Sequence, residues 1–125
     1  MWQKLAWLAL AGALGTLTRY AISGWTQRLA GESFPWGTLA VNMAGCFLFG
    51  FVWALAEDRL VISGETRFLI LTGFMGAFTT FSTYAFETAD QLRESQWLLA
   101  TANVAAQTVG GLVLVLAGLA LGRGL

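Results

Sequence analysis

The chain contains no histidine and only one cysteine, and its seven basic side chains are matched by seven acidic ones. Without histidine it lacks the commonest general base and metal ligand. Cys46 has no second cysteine with which to form an intramolecular disulfide or a metal cluster, and such a buried cysteine usually acts as a small apolar residue. A net charge of zero gives no support to nucleic-acid binding. We therefore expect neither an enzyme nor a nucleic-acid-binding protein.

Charged residues are also scarce. They make up 11% of the chain, against about 25% in ordinary soluble domains. Residues 33–56, 68–86 and 95–122 contain none, and residues 5–18 form a further uncharged run. About 20 apolar residues cross a bilayer core of ~30 Å. The sequence therefore predicts an all-α membrane protein, with residues 1–125 forming a single four-helix transmembrane domain. The predicted helices cover about residues 2–24, 36–56, 67–92 and 96–122.

The third predicted helix contains the most unusual stretch, which runs from Gly73 to Tyr84. It holds two glycines and four hydroxyl residues inside an uncharged run. Glycine and β-branched threonine weaken a helix, and backbone freed from helical bonding at membrane depth needs protein, water or an ion as a partner. An interruption near the midplane, and with it a binding or permeation site, is one interpretation. The other is an intact helix in which hydroxyls bond to the preceding turn.

Other polar residues are expected within the predicted spans. Asn42 and Gln107 offer amide donors, and Arg19 either reaches towards an interface or faces an aqueous vestibule. Amides in apolar spans often serve as bonds between helices. Small residues predict close packing on several helix faces. These residues are Gly12 and Gly15 in the first helix, and Ala102, Ala106, Gly110, Gly118 and Gly122 in the fourth.

The distribution of basic residues gives almost no preferred orientation. With four spans, one side of the membrane carries Lys4, Arg59, Arg67 and Arg123, and the other carries Arg28, Arg93 and Arg19. Orientation is normally set by an excess of Lys and Arg in cytoplasmic loops. A chain without that excess can insert both ways, which predicts an antiparallel, dual-topology homodimer with a two-fold axis in the membrane plane.

Three functions are compatible with these features. The first is a small-ion channel, the second a small dual-topology four-helix exporter of another ion or drug, and the third an assembly subunit that transports nothing. A proton-exchanging exporter needs a carboxylate within the membrane, and Glu57 and Glu87 lie at the predicted span ends. Hydrogen-bond donors together with Arg19 favour an anion over a cation.

Four motifs resemble those of the Fluc/CrcB family of fluoride channels. Gly73-Phe-Met-Gly-Ala-Phe-Thr-Thr-Phe-Ser-Thr-Tyr84 is similar to a family signature that reads roughly GFxGGxTTFSTF. The first helix carries Gly12-x-x-Gly15-x-x-x-Arg19-Tyr20, and the second carries Gly37-Thr38-Leu-x-x-Asn42-x-x-Gly45-x-Phe47. The fourth carries Asn103-Val104-x-x-Gln107-x-x-x-Gly111. The resemblance covers all four predicted helices.

The resemblance implies an antiparallel dimer with two pathways for passive fluoride export across a bacterial plasma or inner membrane. Asn42 would then contact fluoride, and Phe81 would present its positive ring edge to the ion. Tyr84 occupies the place of a second phenylalanine, and Gln107 that of a small hydroxyl residue. The implied pathway residues are Asn42, Thr80, Phe81, Ser82, Thr83, Tyr84, Gln107 and Arg19.

The resemblance also implies a structural sodium ion at the dimer centre. Backbone carbonyls of Gly76 and Thr79 from both subunits would bind it, and its fixed charge would favour the entry of anions. Ala77 stands where the family often has a second glycine. Because a carbonyl is the ligand, the side chain of Thr79 should matter little to the ion.

Overall fold

The computed structural model describes residues 1–125, and all of its regular structure is helical. Four segments are long and apolar enough to cross a membrane, as the uncharged runs predicted. We label the helices α1 (Trp2–Ala30), α2 (Trp36–Asp58), α3, α4 (Phe81–Arg93) and α5 (Trp97–Gly124). The third span, Gly64–Arg93, comprises α3 and α4. Helix α3 consists of Gly64–Phe68, Leu69–Met75 and Gly76–Phe78.

Three stretches of these helices have the wider π-helical turn. They are Ala54–Asp58 at the end of α2, Leu69–Met75 in α3 and Ala106–Gly110 in α5. Such turns insert a residue into an α-helix and often occur at functional sites. Two of them flank the polar region described below, because one leads into Gly76 and another contains Gln107.

Helix α1 is longer than the sequence analysis predicted. It continues past Gly24, near which the end was expected, and stops at Ala30. No proline or helix-capping side chain ends it earlier. It ends where Gly31 adopts a φ of 95°, a conformation that glycine accepts readily. The loop is then tied together by Gln27, whose Nε2 donates to Phe34 O at 2.8 Å and whose Oε1 accepts the Gly37 N–H at 3.0 Å.

Helix α3 begins slightly earlier than predicted, at Gly64 instead of near residue 67. Ser63 caps it, since its Oγ accepts the N–H of Thr66 at 3.2 Å. A serine at this position satisfies a backbone donor that the first helical turn leaves free. This start places the ion pair between Arg67 and Glu57 at the junction of α2 and α3.

Helix α2 lies at the centre of the bundle. Helix α1 packs against α2 and α3, whereas α5 packs against α2 and, near its start, against α4. The apolar core is small and consists of Val41, Val52, Leu71, Met75 and Phe78. Only 21 of the 125 residues are buried, so most large apolar side chains face outwards, where lipid or a partner would cover them.

Glycines permit the closest helix contacts. A Cβ at Gly15 would collide with the carbonyl of Phe74 in α3, and one at Gly118 with the carbonyl of Phe47 in α2. The predicted packing roles of Gly15 and Gly118 are thus confirmed, whereas a Cβ at Gly12 would come no closer than 3.9 Å to Gly73 O. The predicted close packing at Ala102 is not observed, because Ala102 is exposed and the neighbouring Asn103 is fully buried instead. Burying the amide side chain inside the protein takes precedence, since an amide exposed to lipid would lack partners.

Gly50 offers a test of this packing. A Cβ there would collide with the Val115 carbonyl of α5 and lie 3.0 Å from Leu119 N. Because overpacking costs about 1–3 kcal/mol, we expect Gly50→Ala to lower the midpoint of thermal unfolding in detergent. Gly24→Ala is the control, since nothing lies within 4 Å of its added Cβ. Its midpoint should stay level or rise, because alanine favours helix by about 1 kcal/mol over glycine. Equal midpoints for the two variants would contradict the packing.

Candidate functional site

The third span changes backbone conformation at Thr79 and Thr80. Thr79 has φ −89° and ψ 157°, and Thr80 has φ −148° and ψ 107°, so both are extended. Helix α3 ends just before them, at Phe78, and α4 begins just after them, at Phe81. Two extended residues interrupt the regular ladder of bonds, and the backbone groups beside them need other partners.

Asn42 of α2 supplies those partners for Thr80. Its Oδ1 accepts the Thr80 N–H at 2.8 Å, and its Nδ2 donates to the Thr80 carbonyl at 3.1 Å. The same Nδ2 donates to Oε1 of Gln107 in α5 at 3.0 Å. One buried side chain therefore joins α2, the extended segment and α5. In an apolar span such bonds are needed, because no water is present to replace them.

Hydroxyl groups organise the start of α4. Thr80 Oγ1 accepts the Thr83 N–H at 3.2 Å and so caps the helix. It also donates to Thr83 Oγ1 at 2.9 Å, and it lies 3.4 Å from Ser82 Oγ. The N-terminal end of a helix carries a partial positive charge and free N–H groups. This end of α4 consequently favours a negatively charged ligand.

The opposite side of the break presents carbonyl oxygens. In a continuous helix the N–H of Thr80 would donate to Gly76 O, and that of Thr83 would donate to Thr79 O. Here these donors are directed to Asn42 Oδ1 and to Thr80 Oγ1 instead. The carbonyls of Gly76 and Thr79 thereby lose their usual helical partners, and such oxygens are suitable ligands for a hard cation.

A cavity of about 480 Å³ lies between the break, α2 and α5. Among the residues predicted for a site, Asn42, Thr79, Phe81, Tyr84 and Gln107 line this cavity. The rings of Phe81 and Tyr84 meet in a T-shaped arrangement, with centroids 5.4 Å apart and planes at 71°. The fold thus brings together, from α2, the third span and α5, residues that the resemblance implied for one pathway.

The remaining predicted residues lie outside the cavity lining. The hydroxyl side chains of Thr80, Ser82 and Thr83 form a cluster at the start of α4. Gly76 is exposed on α3. Arg19 is partly buried, and its Nε is enclosed without a hydrogen-bond partner. It follows Gly15 by one turn on the same face of α1, and Gly15 packs against Phe74 and Ala77.

A contact between Thr38 and Glu87 was not predicted from the sequence. Thr38 Oγ1 donates to Glu87 Oε1 at 2.6 Å, while Glu87 Oε2 is buried and has no partner. Glu87 lies in α4 and is partly enclosed by the bundle. The available signal was its position one turn after Thr83 on the same helix face.

A second amide of α5 also lies inside the bundle. Asn103 is fully buried, and its Nδ2 donates to Thr88 Oγ1 at 3.0 Å. The Thr88 hydroxyl in turn donates to Tyr84 O at 2.9 Å. This contact fastens α4 to α5 one turn from Gln107, so it holds the two helices that carry the cavity's rings and amide.

The sequence is similar to those of known proteins along almost its full length. A protein family described as "CrcB-like protein, Camphor Resistance (CrcB)" matches residues 6–119. A "Fluoride-specific ion channel FluC" from Nitrosococcus oceani is 66% identical over 118 residues, covering 94% of each chain. Proteins of the same name from Solidesulfovibrio magneticus and Maridesulfovibrio salexigens are each 51% identical. They cover 98% and 96% of this chain, and 98% and 95% of their own.

Asn42→Ala tests whether this side chain holds the break. The substitution leaves the N–H and C=O of Thr80 and the Oε1 of Gln107 without partners. Because each such buried group costs about 1–3 kcal/mol, we expect a marked fall in the denaturation midpoint of the purified protein. Ser82→Ala serves as the control, since Ser82 is exposed and makes only the 3.4 Å contact. An Asn42→Ala protein as stable as Ser82→Ala would contradict the role of Asn42 in holding the break.

Proposed function

The chain belongs to the CrcB family, and we propose that it is a fluoride-selective ion channel through which fluoride leaves the cell passively. The family match confirms the resemblance found in the sequence. It assigns the protein to a family of channels and not of enzymes. Similarity extends over nearly the whole chain, so the proposal concerns the complete four-helix unit and not one module of it.

The observation that carries the proposal is the cavity at the break, which is lined by Gln107 with an amide nitrogen that has no hydrogen-bond partner. Amides from α2 and α5, two aromatic rings and the start of α4 meet there, and no carboxylate lines the cavity. Fluoride is small, strongly hydrated and an acceptor only, so losing its water requires several close donors together. Cations would find no carboxylate ligand among these side chains.

Aromatic ring edges suit the same ion. Ring hydrogens carry a partial positive charge. A ring edge holds these hydrogens in fixed positions, whereas the dipole of a water molecule can reorient. Phe81 is 77% exposed in the single chain, which leaves its ring free to face a pathway, a partner or lipid. In the proposed channel the edges of Phe81 and Tyr84 replace part of the hydration shell, while Ser82, Thr83 and Thr80 continue a polar track along α4.

We also propose a structural sodium ion at the break. The carbonyl oxygens of Gly76 and Thr79 lack their usual helical donors and are suitable ligands for such an ion. The same atoms of a second copy would complete the site. No group of three or more His, Cys, Asp or Glu side chains could hold a metal. Carbonyl oxygens are hard ligands that sodium accepts, and its fixed charge would favour anions nearby.

The proposed assembly is an antiparallel, dual-topology homodimer. Gly76, Phe81 and Ser82 are exposed on the single chain although they belong to a membrane span. Lipid cannot satisfy freed carbonyls or hydroxyls, so a second copy related by two-fold symmetry is the simplest cover. The nearly equal basic charge on the two sides supports opposite insertion of the two copies.

Four helices of spanning length make the chain a multi-pass membrane protein. We propose that the membrane is the bacterial plasma or inner membrane, because the similar proteins named above come from bacteria. Fluoride that enters as HF and ionises inside would then leave down its own gradient without an energy source.

One observation favours the exporter as a second candidate. Glu87 is a carboxylate within a membrane span, and its buried Oε2 has no partner. Intramembrane carboxylates often carry protons in exchangers. The two functions differ in energetics: an exporter needs a proton gradient, whereas a channel passes ions without one.

Reconstituted protein tests the main proposal. We expect rapid fluoride release from loaded proteoliposomes without any proton gradient, and no chloride release above that of empty liposomes. Phe81→Ala should cut fluoride release strongly while the dimer survives, because a ring edge is lost from the cavity and little of the fold depends on it. Release of both ions at equal rates would discard fluoride selectivity. Fluoride movement that appears only with an imposed proton gradient would support the exporter instead.

If sodium binds at the proposed site, the dimer fraction and the fluoride flux should depend on the presence of sodium and not on the side chain of Thr79. Replacing sodium in all buffers with a large organic cation should reduce both the dimer fraction and fluoride flux. Thr79→Ala should behave like the unmodified protein in sodium and respond equally to its removal, because its carbonyl remains. Cross-linking and flux would be measured in both buffers. Indifference of the unmodified protein to sodium removal would contradict the site, and dimer loss in Thr79→Ala would show that the side chain of Thr79 is required.

A further inference from the structure

We propose that Glu87, Gln91 and Asn103 form a binding site for one hard monovalent cation, sodium or potassium, where α4 and α5 meet. We call these three residues the oxygen cluster. The site is separate from the break and from the cavity beside it. It is also independent of the proposed function, because it holds whether or not the protein conducts fluoride.

Each residue of the oxygen cluster has a buried oxygen that no donor reaches. These atoms are Oε2 of Glu87, Oε1 of Gln91 and Oδ1 of Asn103. Gln91 is only 8% exposed, and Asn103 is fully enclosed. Leaving a buried polar atom unpaired is unfavourable, and folded proteins rarely do so. Three unpaired acceptors in one part of the bundle therefore require a partner from outside the chain.

Helix geometry brings the three side chains together. Glu87 and Gln91 are one turn apart on the same face of α4, so they are neighbours on its surface. Asn103 reaches this face from α5, since its Nδ2 lies 3.0 Å from Thr88 Oγ1. Thr88 follows Glu87 directly and precedes Gln91 by three residues, which places it beside both of them. The oxygens of the cluster thus belong to side chains that share one contact region between α4 and α5.

The amide of Asn103 can be oriented in only one way. The hydroxyl hydrogen of Thr88 is used in a bond to Tyr84 O at 2.9 Å. Thr88 Oγ1 can therefore only accept a hydrogen bond from Asn103. The atom of Asn103 that faces Thr88 must be its nitrogen, Nδ2. This leaves the oxygen, Oδ1, as the atom without a partner.

The carboxylate of Glu87 has no basic partner. The three ion pairs of the chain join arginines to Glu57, Asp58 and Asp90 instead. One oxygen of Glu87, Oε1, accepts a hydrogen bond from Thr38 Oγ1 at 2.6 Å. Thr38 lies in the first turn of α2, whose partial positive charge favours an ionised carboxylate. An ionised carboxylate inside a membrane span still needs a full opposite charge to compensate it.

The number of unpaired oxygens favours a cation over a proton or a water molecule. A proton on Glu87 donates one hydrogen bond and a water molecule donates two, so each leaves one of the three oxygens unpaired. A metal cation binds several oxygens at once, and carboxylate and amide oxygens are the ligands that hard cations prefer. One carboxylate balances one positive charge, so a monovalent ion leaves the site neutral, whereas Mg²⁺ or Ca²⁺ leaves an excess charge.

The position of the oxygen cluster gives the bound ion a role. Asn103 precedes Gln107 by about one turn of α5, and Thr38 precedes Asn42 by one turn of α2. The cluster therefore lies about one turn away from the cavity at the break. A bare carboxylate at this distance would repel an anion in the cavity, and a bound cation cancels that charge.

Anomalous X-ray diffraction locates the ion directly. Crystals of the unmodified protein are soaked in thallium(I) acetate, because Tl⁺ replaces potassium and sodium and scatters anomalously. We expect a peak between Glu87, Gln91 and Asn103 that excess potassium acetate displaces. Glu87→Gln should lose the peak, because the compensating charge is gone while a side chain of the same size remains. A map with only water among the three oxygens, or a peak of full height in Glu87→Gln, would overturn the site.

Thermal unfolding in detergent gives a second test. Exchanging choline for sodium or potassium at constant ionic strength should raise the unfolding midpoint of the unmodified protein, because the ion binds only the folded state. The larger rise identifies the preferred ion. Gln91→Met, which has a similar length but no oxygen, should lose part of that rise. The matched control is Gln96→Met, since Gln96 is exposed and its side chain caps nothing.

Any sodium at the break contributes equally to all of these proteins, so the difference between the two methionine variants reports the oxygen cluster alone. Equal cation-dependent rises in Gln91→Met and Gln96→Met would overturn the inference. Infrared spectroscopy separates the cation from a proton. In sodium buffer at neutral pH we expect no protonated-carboxyl band from Glu87. A band that is present in the unmodified protein and absent in Glu87→Gln would show a proton at the site instead, and would overturn the inference.

Discussion

The hydrogen bonds between Asn42 and Thr80 are the interaction on which the rest of this structure depends. Two extended residues inside a membrane span would leave an N–H and a C=O facing hydrocarbon. Asn42 satisfies both groups from a neighbouring helix, at 2.8 Å and 3.1 Å. The central position of α2 in the bundle makes this possible, because it lies within reach of both the break and α5.

Once the break is held, its two sides acquire opposite chemistry. The end of α3 presents the carbonyls of Gly76 and Thr79, which suit a cation, whereas the start of α4 presents N–H groups and hydroxyls, which suit an anion. The chain has no histidine and no cluster of acidic ligands, so freed backbone groups carry much of the polar character of this region. The glycines of α1 and α5 allow neighbouring helices to approach closely enough to enclose this region.

Much of this arrangement was predictable from the sequence, because a bilayer limits the choices. Uncharged runs predicted the four spans, and the polar residues from Gly73 to Tyr84 indicated where a site would form. The bond from Asn42 to Thr80 was not predictable from local pattern, since 38 residues separate the partners. The same holds for Thr38 and Glu87. The end of α1 was placed too early because Gly24 weakens a helix only slightly when no other residue stops it.

Hydrogen exchange at the amide of Thr80, measured in the membrane-reconstituted protein, tests the central interaction most directly. We predict slow exchange although Thr80 lies outside any helix, because Asn42 accepts its N–H. In Asn42→Ala that exchange should become fast, while the neighbouring Thr79 N–H, bonded to Met75 O at 3.1 Å, stays slow. Fast exchange at Thr80 in the unmodified protein, or equally slow exchange in both proteins, would contradict the role given to Asn42.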